Sequence, residues 1–351
     1  MSAEAAVPLR ARALTFDARS RRILRYALGS TLGMGVATAY AWPLSFVVPV
    51  LTLPFLAAPG GWMGFRAALG VVAGLALGCG VGLVGIKLLL PFPAAFLLVF
   101  AVLLLVLFQA SQRGAQPFLV LWLLMGLLLL PLIAAIQPEI AVSVTLALIF
   151  GASVSLAIVW LAHALVPDPP SPKTKVARSA GPPKGAAKSD PRIALAQAAV
   201  VFPAFVLFNV AELAGASLIL VFVGLLVLQP GSAKHLSSGV PLILGNTMGG
   251  LASVAVFELL TVAPSFPFFL LVVFFFGLAF GSRLFSDRRD APLYGMAFST
   301  FLLVLGTTTT SVDGDATAKV YSRIAQIGIA VVYVSVALSF VEELYKRRAA
   351  A

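Results

Sequence analysis

Apolar runs separated by short polar stretches divide the chain into twelve hydrophobic segments. Most of these segments approach the roughly 20 apolar residues that a helix needs to cross a bilayer. The predicted segments are 23–41, 44–58, 67–86, 93–110, 117–136 and 140–165, followed by 193–211, 214–228, 239–263, 266–285, 291–309 and 318–341. The pattern predicts an all-α polytopic membrane protein of about twelve transmembrane helices in two six-helix repeats.

One long polar stretch separates the sixth segment from the seventh. Residues 167–192, PDPPSPKTKVARSAGPPKGAAKSDPR, are rich in Pro, Lys and Ala and nearly free of large apolar side chains. Because such a composition cannot form a hydrophobic core, we predict a disordered cytoplasmic linker. The predicted units are a basic cytoplasmic N-terminal tail (1–22), a first membrane repeat (23–166), the linker (167–192), a second membrane repeat (193–345) and a basic tail (346–351).

Two of the segments are too short to cross a bilayer comfortably. Segment 44–58 has about 15 residues, which give roughly 22 Å of helix against a hydrocarbon core near 30 Å. Pro49 and Pro54 should kink or break its helix, and the freed carbonyls then need hydrogen-bond donors. Segment 214–228 is the counterpart in the second half. Interrupted segments at matching places indicate a transporter's central site. The alternative is that Pro and Gly are simply common in membrane helices.

Composition and charge agree with a membrane protein. The chain is 60% apolar and 11% charged, its mean hydropathy is +1.04 and its formal net charge is +11. In the twelve-segment layout, 21 of the 24 Lys and Arg residues fall in the tails, the linker and the inner loops, and only Lys87, Lys319 and Arg323 fall on the outer half. This asymmetry predicts that both termini are cytoplasmic. It also explains the net charge by topology, so no nucleic-acid partner is expected.

The two halves share an order of features. Residues 91–117 and 265–292 both contain an aromatic and apolar helix, a basic polar loop and then a proline. Gly70 and Gly74 match Gly245 and Gly249. Six spans return the chain to its starting side, so the repeats would be parallel and related by an axis along the membrane normal.

Residues 49–78, PVLTLPFLAAPGGWMGFRAALGVVAGLALG, resemble the fusaric acid resistance and aromatic acid exporter superfamily. The shared pattern is a short apolar span, a Pro-Gly turn, a basic residue and a helix with Gly at every fourth position, and GNTMGG at 245–250 repeats it more weakly. The resemblance implies a multi-pass protein of the bacterial inner membrane that exports aromatic carboxylates or other toxic organic compounds, often with a periplasmic membrane-fusion adaptor. Several members carry a large cytoplasmic domain between the halves, which the short linker here replaces.

Small residues mark one helix face in each half. Gly70, Gly74 and Gly78 recur at helical spacing, and Gly245 and Gly249 repeat that spacing in the second half. A face without side chains lets another helix approach closely, so we predict helix packing at these glycines. Direct contact with a substrate is the alternative.

Charged residues inside spans are candidates for function, since burying them in lipid is costly. We predict that Glu258 couples transport to protons and that it pairs with Lys87 across the axis between the repeats. Protonation of Glu258 would free Lys87 to bind a carboxylate. The alternative for Lys87 is that its side chain extends to the outer headgroups.

Three further polar residues are candidates on the predicted outer side. Asn209 and Glu212 end the seventh segment and would line the central cavity, as a substrate contact and a proton-coupling group, unless both are solvated in an outer loop. Arg323 would bind a carboxylate through two hydrogen bonds. Its alternative is an internal ion pair with Asp313 or Asp315. With Lys87, Asn209 and Arg323, Pro49 and Pro54 complete the predicted substrate-binding set.

No pattern for enzymatic chemistry is present. The chain has no phosphate-binding loop and no arrangement of nucleophile and base. Cys79, His163 and His235 do not have the spacing of metal ligands. We therefore expect no enzyme activity, no cofactor and no metal.

The sequence predicts a secondary-active exporter of aromatic or organic acids, driven by protons. A passive organic-anion channel and a non-transporting scaffold subunit of a larger efflux complex are the alternatives. The expected partners are the organic acid, the lipid bilayer, the adaptor and a second copy of the chain in a homo-oligomer.

Overall fold

The computed structural model of the protein describes most of the hydrophobic segments. It describes residues 17–42, 44–58, 63–89, 91–115, 117–136, 138–167, 191–211, 235–288 and 290–310, with 219–220, 223–224, 227–228, 325–326, 328–330, 332–334, 336–337 and 339–340. Regular structure in these ranges is helical throughout, without a strand. The prediction of an all-α protein is therefore confirmed.

Ten continuous helices are defined in the described ranges. They are α1 (Ala18–Tyr40), α2 (Val47–Ala57), α3 (Phe65–Leu89), α4 (Pro93–Gln112), α5 (Pro117–Ile136), α6 (Pro138–Leu165), α7 (Pro191–Val210), α8 (His235–Val262), α9 (Phe266–Leu284) and α10 (Ala291–Thr310). Each lies within a few residues of a predicted segment. The helix α1 begins inside the predicted N-terminal tail and α7 begins inside the predicted linker, most of which lies outside the described residues.

Six of these helices contain a stretch that is long and apolar enough to cross a membrane. These stretches are Phe65–Leu89, Pro93–Gln112, Glu139–Leu165, Pro191–Val210, Leu244–Val262 and Phe266–Leu284. Shorter apolar stretches lie at Val47–Ala57, Trp122–Ala134 and Ala291–Thr307. Length and composition therefore support a membrane protein with several transmembrane helices.

Neighbouring helices run in the directions that an alternating chain requires. The contacts of Gly29 with Leu56 and of Gly33 with Pro49 make α1 and α2 antiparallel. By contrast, α3 runs parallel to α5 and α8 runs parallel to α10, and these are two of the most extensive helix contacts in the described ranges. Parallel contact is expected for helices that are two spans apart.

The buried apolar side chains form separate clusters, and the two short segments lie in different clusters. One cluster joins α2 to α1, α6, α8, α9 and α10 through residues such as Leu53, Leu56 and Phe298. A second joins α4, α5 and α7 to Ile219, Leu220, Val223 and Val227. In the described residues, the two short segments thus belong to different parts of the core.

The helix α2 continues through both prolines, so the predicted break is absent. Pro49 is its third residue, where the missing N–H removes no helical hydrogen bond, and Pro54 lies inside the helix. Carbonyls of both short segments accept hydrogen bonds from buried side chains of other helices. Ser155 Oγ donates to the Val48 carbonyl at 2.9 Å, and Gln197 Nε2 donates to the Val227 carbonyl at 2.7 Å. These donors replace water, as an apolar surrounding requires.

Candidate functional site

A cavity of about 310 Å³ lies between α1, α2, α8, α9 and α10. Its walls include Tyr26, Pro54, Ala57 and Ser299, and most of its surface is apolar. The volume is at the lower end of the range for small-molecule sites. Helices from both halves of the chain therefore line an open cavity of the size that a single-ring organic compound needs.

A buried hydrogen bond supplies a polar part of the cavity wall. Thr300 Oγ1, on α10, donates to Asn246 Oδ1, on α8, at 2.5 Å. Asn246 is 6% exposed and Thr300 is 8% exposed, and both residues line the cavity. Because Thr300 donates to the amide oxygen, it contributes to the orientation of the Asn246 side chain.

Two glycines bring this pair together. A Cβ added at Gly245 would lie 3.0 Å from the Leu293 carbonyl oxygen, and one added at Gly249 would overlap the Ala297 carbonyl oxygen. The backbones of α8 and α10 therefore touch directly, as small residues in membrane helices allow. Asn246 follows Gly245 immediately, so this close contact holds its short side chain beside Thr300.

The helices α3 and α5 make the same kind of contact without a polar pair. A Cβ added at Gly78 would lie 3.0 Å from Leu123 Cα, and one at Gly82 would lie 3.0 Å from the Gly126 carbonyl oxygen. Cys79 follows Gly78 and is buried in a cluster with Leu75, Trp122 and Leu130. This contact is consequently mostly apolar, and the Cys79 side chain bonds to Thr145 of α6.

The helix-packing prediction applies to some of the named glycines. Gly78, Gly245 and Gly249 lie in close helix contacts, and Gly74 is buried. Gly70 differs because it is exposed, and a Cβ added there would meet nothing within 4 Å. In the described ranges, no other helix is close enough to exploit its missing side chain.

A cation lies at the edge of the cavity. Arg22 donates from Nη2 to the carbonyl of Ala57, a wall residue, at 3.2 Å. Its guanidinium carbon lies 4.5 Å from the centroid of the Phe285 ring, which is a cation–π arrangement. These contacts hold the side chain without an ion pair to a carboxylate in the described ranges. The positive charge of Arg22 near the cavity would attract organic anions.

The two prolines that were predicted to contact the substrate have different surroundings. Pro54 lines the cavity, as a substrate contact would. Pro49 is buried against α1, where a Cβ added at Gly33 would lie 3.0 Å from Pro49 Cα. Pro49 is thus a helix-packing residue in this structure.

The predicted polar residues are not assembled at the cavity. Asn209 donates to the Phe205 carbonyl of its own helix at 3.2 Å. Lys87 and Glu258 are exposed near the C-terminal ends of α3 and α8, and no ion pair joins them. Glu212 and Arg323 lie outside the described residues. No contact in this structure therefore supports the predicted pair of Lys87 and Glu258.

Sequence reasoning missed Tyr26, Asn246, Ser299 and Thr300. Asn246 had a signal, since it is an amide within the glycine motif GNTMGG of an otherwise apolar segment. Tyr26 follows a group of arginines whose positions are explained by the membrane topology. No sequence pattern distinguishes Ser299 and Thr300 within α10. Their role depends on which helices pack together.

Comparison with known proteins covers only part of the chain. Residues 22–162 match the model of a family described as a protein of unknown function, DUF2955. The match includes α2 and the α3–α5 contact and ends before α7. No curated protein and no solved structure matches the chain. The match names neither fusaric acid resistance nor aromatic acid export, so that resemblance stays a prediction.

Proposed function

We propose that this protein is a secondary-active exporter of aromatic or related organic acids and that the cavity is its substrate site in an inward-facing state. The observation that carries the proposal is an apolar cavity with the Asn246–Thr300 pair in its wall and Arg22 at its edge. An aromatic acid has the same division into an apolar ring and an anionic group. The Tyr26 ring and Pro54 would contact the substrate's ring, and the Asn246–Thr300 pair would bind its hydrogen-bonding groups.

The location of the cavity supports loading from the cytoplasm. It lies where α1 and α10 begin and where α2 and α9 end, as its wall residues Tyr26, Gly295, Ala57 and Leu284 show. The distribution of basic residues supports a cytoplasmic position for this end of the helices. We therefore propose the twelve-span topology with both termini inside, in a bacterial inner membrane.

The two parallel helix contacts support the internal repeat. The α3–α5 contact joins the third and fifth predicted segments, and the α8–α10 contact joins the ninth and eleventh. In both, two glycines four residues apart touch the partner helix. The correspondence that follows pairs Gly78 and Gly82 with Gly245 and Gly249. It replaces the register read from the sequence, which started from Gly70.

The outer ends of the helices would serve release. Lys87 and Glu258 lie at the ends of α3 and α8 opposite to the cavity. We propose that Glu258 and Glu212 exchange protons there and that Lys87, Arg323 and Asn209 contact the departing acid. A periplasmic adaptor and a second copy of the chain are the proposed partners.

Transport into inverted membrane vesicles tests the proposal. Respiration makes the lumen acidic, and valinomycin with equal potassium on both sides removes the membrane potential. Passive diffusion then concentrates benzoate or 5-butylpicolinate in the alkaline medium outside. Proton-coupled export instead concentrates the acid in the lumen, and this accumulation should disappear when nigericin collapses the pH gradient.

The alternatives give other outcomes in the same assay. A passive channel would equilibrate the acids without accumulation in the lumen. A scaffold subunit would leave the flux equal to that of vesicles lacking the protein. Either result would contradict coupled export.

Substitutions in the polar wall connect the activity to the cavity. Thr300→Val removes a hydroxyl that donates to Asn246, and we expect about a fivefold lower initial rate, since one such hydrogen bond is worth about 1 kcal/mol. Thr145→Val is the control, because Thr145 is also buried, bonds to the Ala141 carbonyl and to the Cys79 side chain, and does not line the cavity. Equal transport rates in the two variants would contradict a role for this cavity in transport.

A further inference from the structure

The turn between α1 and α2 has an unusual backbone. We name Ala41, Trp42, Leu44, Ser45 and Phe46 the α1–α2 elbow. Ala41 has φ 43° and Leu44 has φ 61°, although neither is glycine. The left-handed conformation is costly for a residue with a Cβ, and such residues cluster at functional sites. Two of them in one short turn therefore direct attention to its polar groups.

Two hydrogen-bond donors of the elbow are buried without a partner. Ser45 is 1% exposed, and neither its Oγ nor Trp42 Nε1 has a partner among the described residues. The other fully buried serines, Ser30, Ser155 and Ser253, all donate to backbone carbonyls. A buried donor left unpaired is costly in an apolar surrounding. Two unpaired donors in one turn could therefore serve a hydrogen-bond acceptor supplied by a ligand.

The elbow leads from the end of α1 to the start of α2, which is not level with that end. Pro49 is level with Gly33, which lies seven residues, or about 10 Å, before the end of α1. Phe46 lies against Gly306, near the end of α10, where an added Cβ would come 2.7 Å from Phe46 Cβ. The short α2 therefore places its N-terminus inside the bundle.

The N-terminus of α2 has no side-chain cap. Its N-cap residue is Phe46, which makes no capping hydrogen bond, and Ser45 directly precedes it. The N–H groups of Val47 and Val48 donate to the carbonyls of Leu44 and Ser45, so this helix end offers an anion its partial positive charge and not a free N–H group. Trp42 packs edge-on against Phe150 of α6, with ring centroids 5.2 Å apart, so the elbow is seated between helices.

We propose that the α1–α2 elbow is a carboxylate-binding site. The Ser45 hydroxyl and the Trp42 indole N–H donate to the carboxylate of an aromatic acid, beside the N-terminus of α2. This inference rests on the proposed function and adds a second position to the transport path. The cavity lies at the C-terminal end of α2, where Pro54 and Ala57 line it, and the elbow lies at the other end of the same helix.

Titration calorimetry on the purified full-length protein tests the site. The probes are benzoate and benzamide, which share the ring and differ in the anionic group. Ser45→Ala should weaken benzoate binding by about tenfold or more, because it removes a hydrogen bond to a charged group. Trp42→Phe keeps the ring on Phe150 and should cause a similar loss. Benzamide binding should be the same in all variants.

The matched control is Ser253→Ala, which removes a buried serine hydroxyl that has a partner. It should leave benzoate binding unchanged. The Tm should be unchanged or higher in Ser45→Ala, because that hydroxyl has no partner to lose. Benzoate affinity equal to wild type in both elbow variants would overturn the proposal, as would an equal loss for benzamide.

Failure of this site and failure of the proposed function are distinguishable. If vesicles accumulate benzoate while the elbow variants bind it normally, only the elbow assignment is overturned. If benzoate binding depends on Ser45 but no acid accumulates, the elbow remains a carboxylate site and coupled export is overturned.

Discussion

The α3–α5 contact and the α8–α10 contact use one packing device for different purposes. In each, two glycines four residues apart bring parallel helices into backbone contact. Cys79 follows the first glycine in α3 and is buried among apolar side chains, whereas Asn246 follows the first glycine in α8 and accepts a hydrogen bond from Thr300. Close packing is therefore common to both halves. Of these two contacts, the one with a polar pair is the one in which an amide residue follows the first glycine.

This difference suggests that the α3–α5 contact supports the fold and that the α8–α10 contact forms part of the candidate site. The α3–α5 contact buries Leu75, Trp122 and Leu130, and Trp122 Nε1 has no hydrogen-bond partner among the described residues, so this contact holds no polar pair like Asn246–Thr300. The α8–α10 contact adds a hydrogen bond whose geometry depends on the helix separation. A change in separation should consequently reduce stability in both contacts but alter ligand binding in only one.

The largest effect is expected for Gly249→Ala. The new methyl group would overlap the Ala297 carbonyl oxygen, and backbone cannot move aside as a side chain can. We expect a loss of about 3 kcal/mol in stability, at the upper end for overpacked cores. Thermal unfolding of the purified protein in detergent measures it.

Gly245→Ala keeps this test informative if Gly249→Ala does not fold. Its Cβ would lie 3.0 Å from the Leu293 carbonyl oxygen and 3.1 Å from Met296 Cβ, so α10 must shift slightly. Benzoate transport should fall, because Met296 and Thr300 both line the cavity. Wild-type stability and transport in this variant would refute the close contact.

An intermediate effect is expected for Gly126→Ala in the scaffold contact. The added Cβ would lie 2.8 Å from the Gly78 carbonyl carbon, which requires a small displacement of α3. Stability should fall by about 1–2 kcal/mol, since the better helix propensity of Ala offsets part of the overpacking. Thermal unfolding and vesicle transport are measured together, and benzoate transport per folded molecule should remain normal. A transport defect as large as that of Gly245→Ala would remove the distinction between the two contacts.

Periodicity predicted the helices well because a membrane-spanning helix is determined locally. The runs at 93–110 and 291–309 became α4 and α10 within two residues, and the short 44–58 became the short α2. The Asn246–Thr300 pair was not predictable in the same way. Its members are 54 residues apart, and their contact depends on which helices pack together. The same reason explains why Lys87 and Glu258, chosen for their charge within spans, are exposed and unpaired with one another.

The smallest effect is expected for Gly70→Ala, which tests the register of the repeat. Gly70 was matched to Gly245 from the sequence, but an added Cβ there would meet nothing within 4 Å. The substitution should raise stability by up to about 1 kcal/mol, because Ala is the better helix former and no neighbour is displaced. The Tm should therefore rise slightly, and benzoate transport should not change. A loss of stability comparable to that of Gly126→Ala would show that another surface contacts this face of α3, and it would restore Gly70 as the counterpart of Gly245.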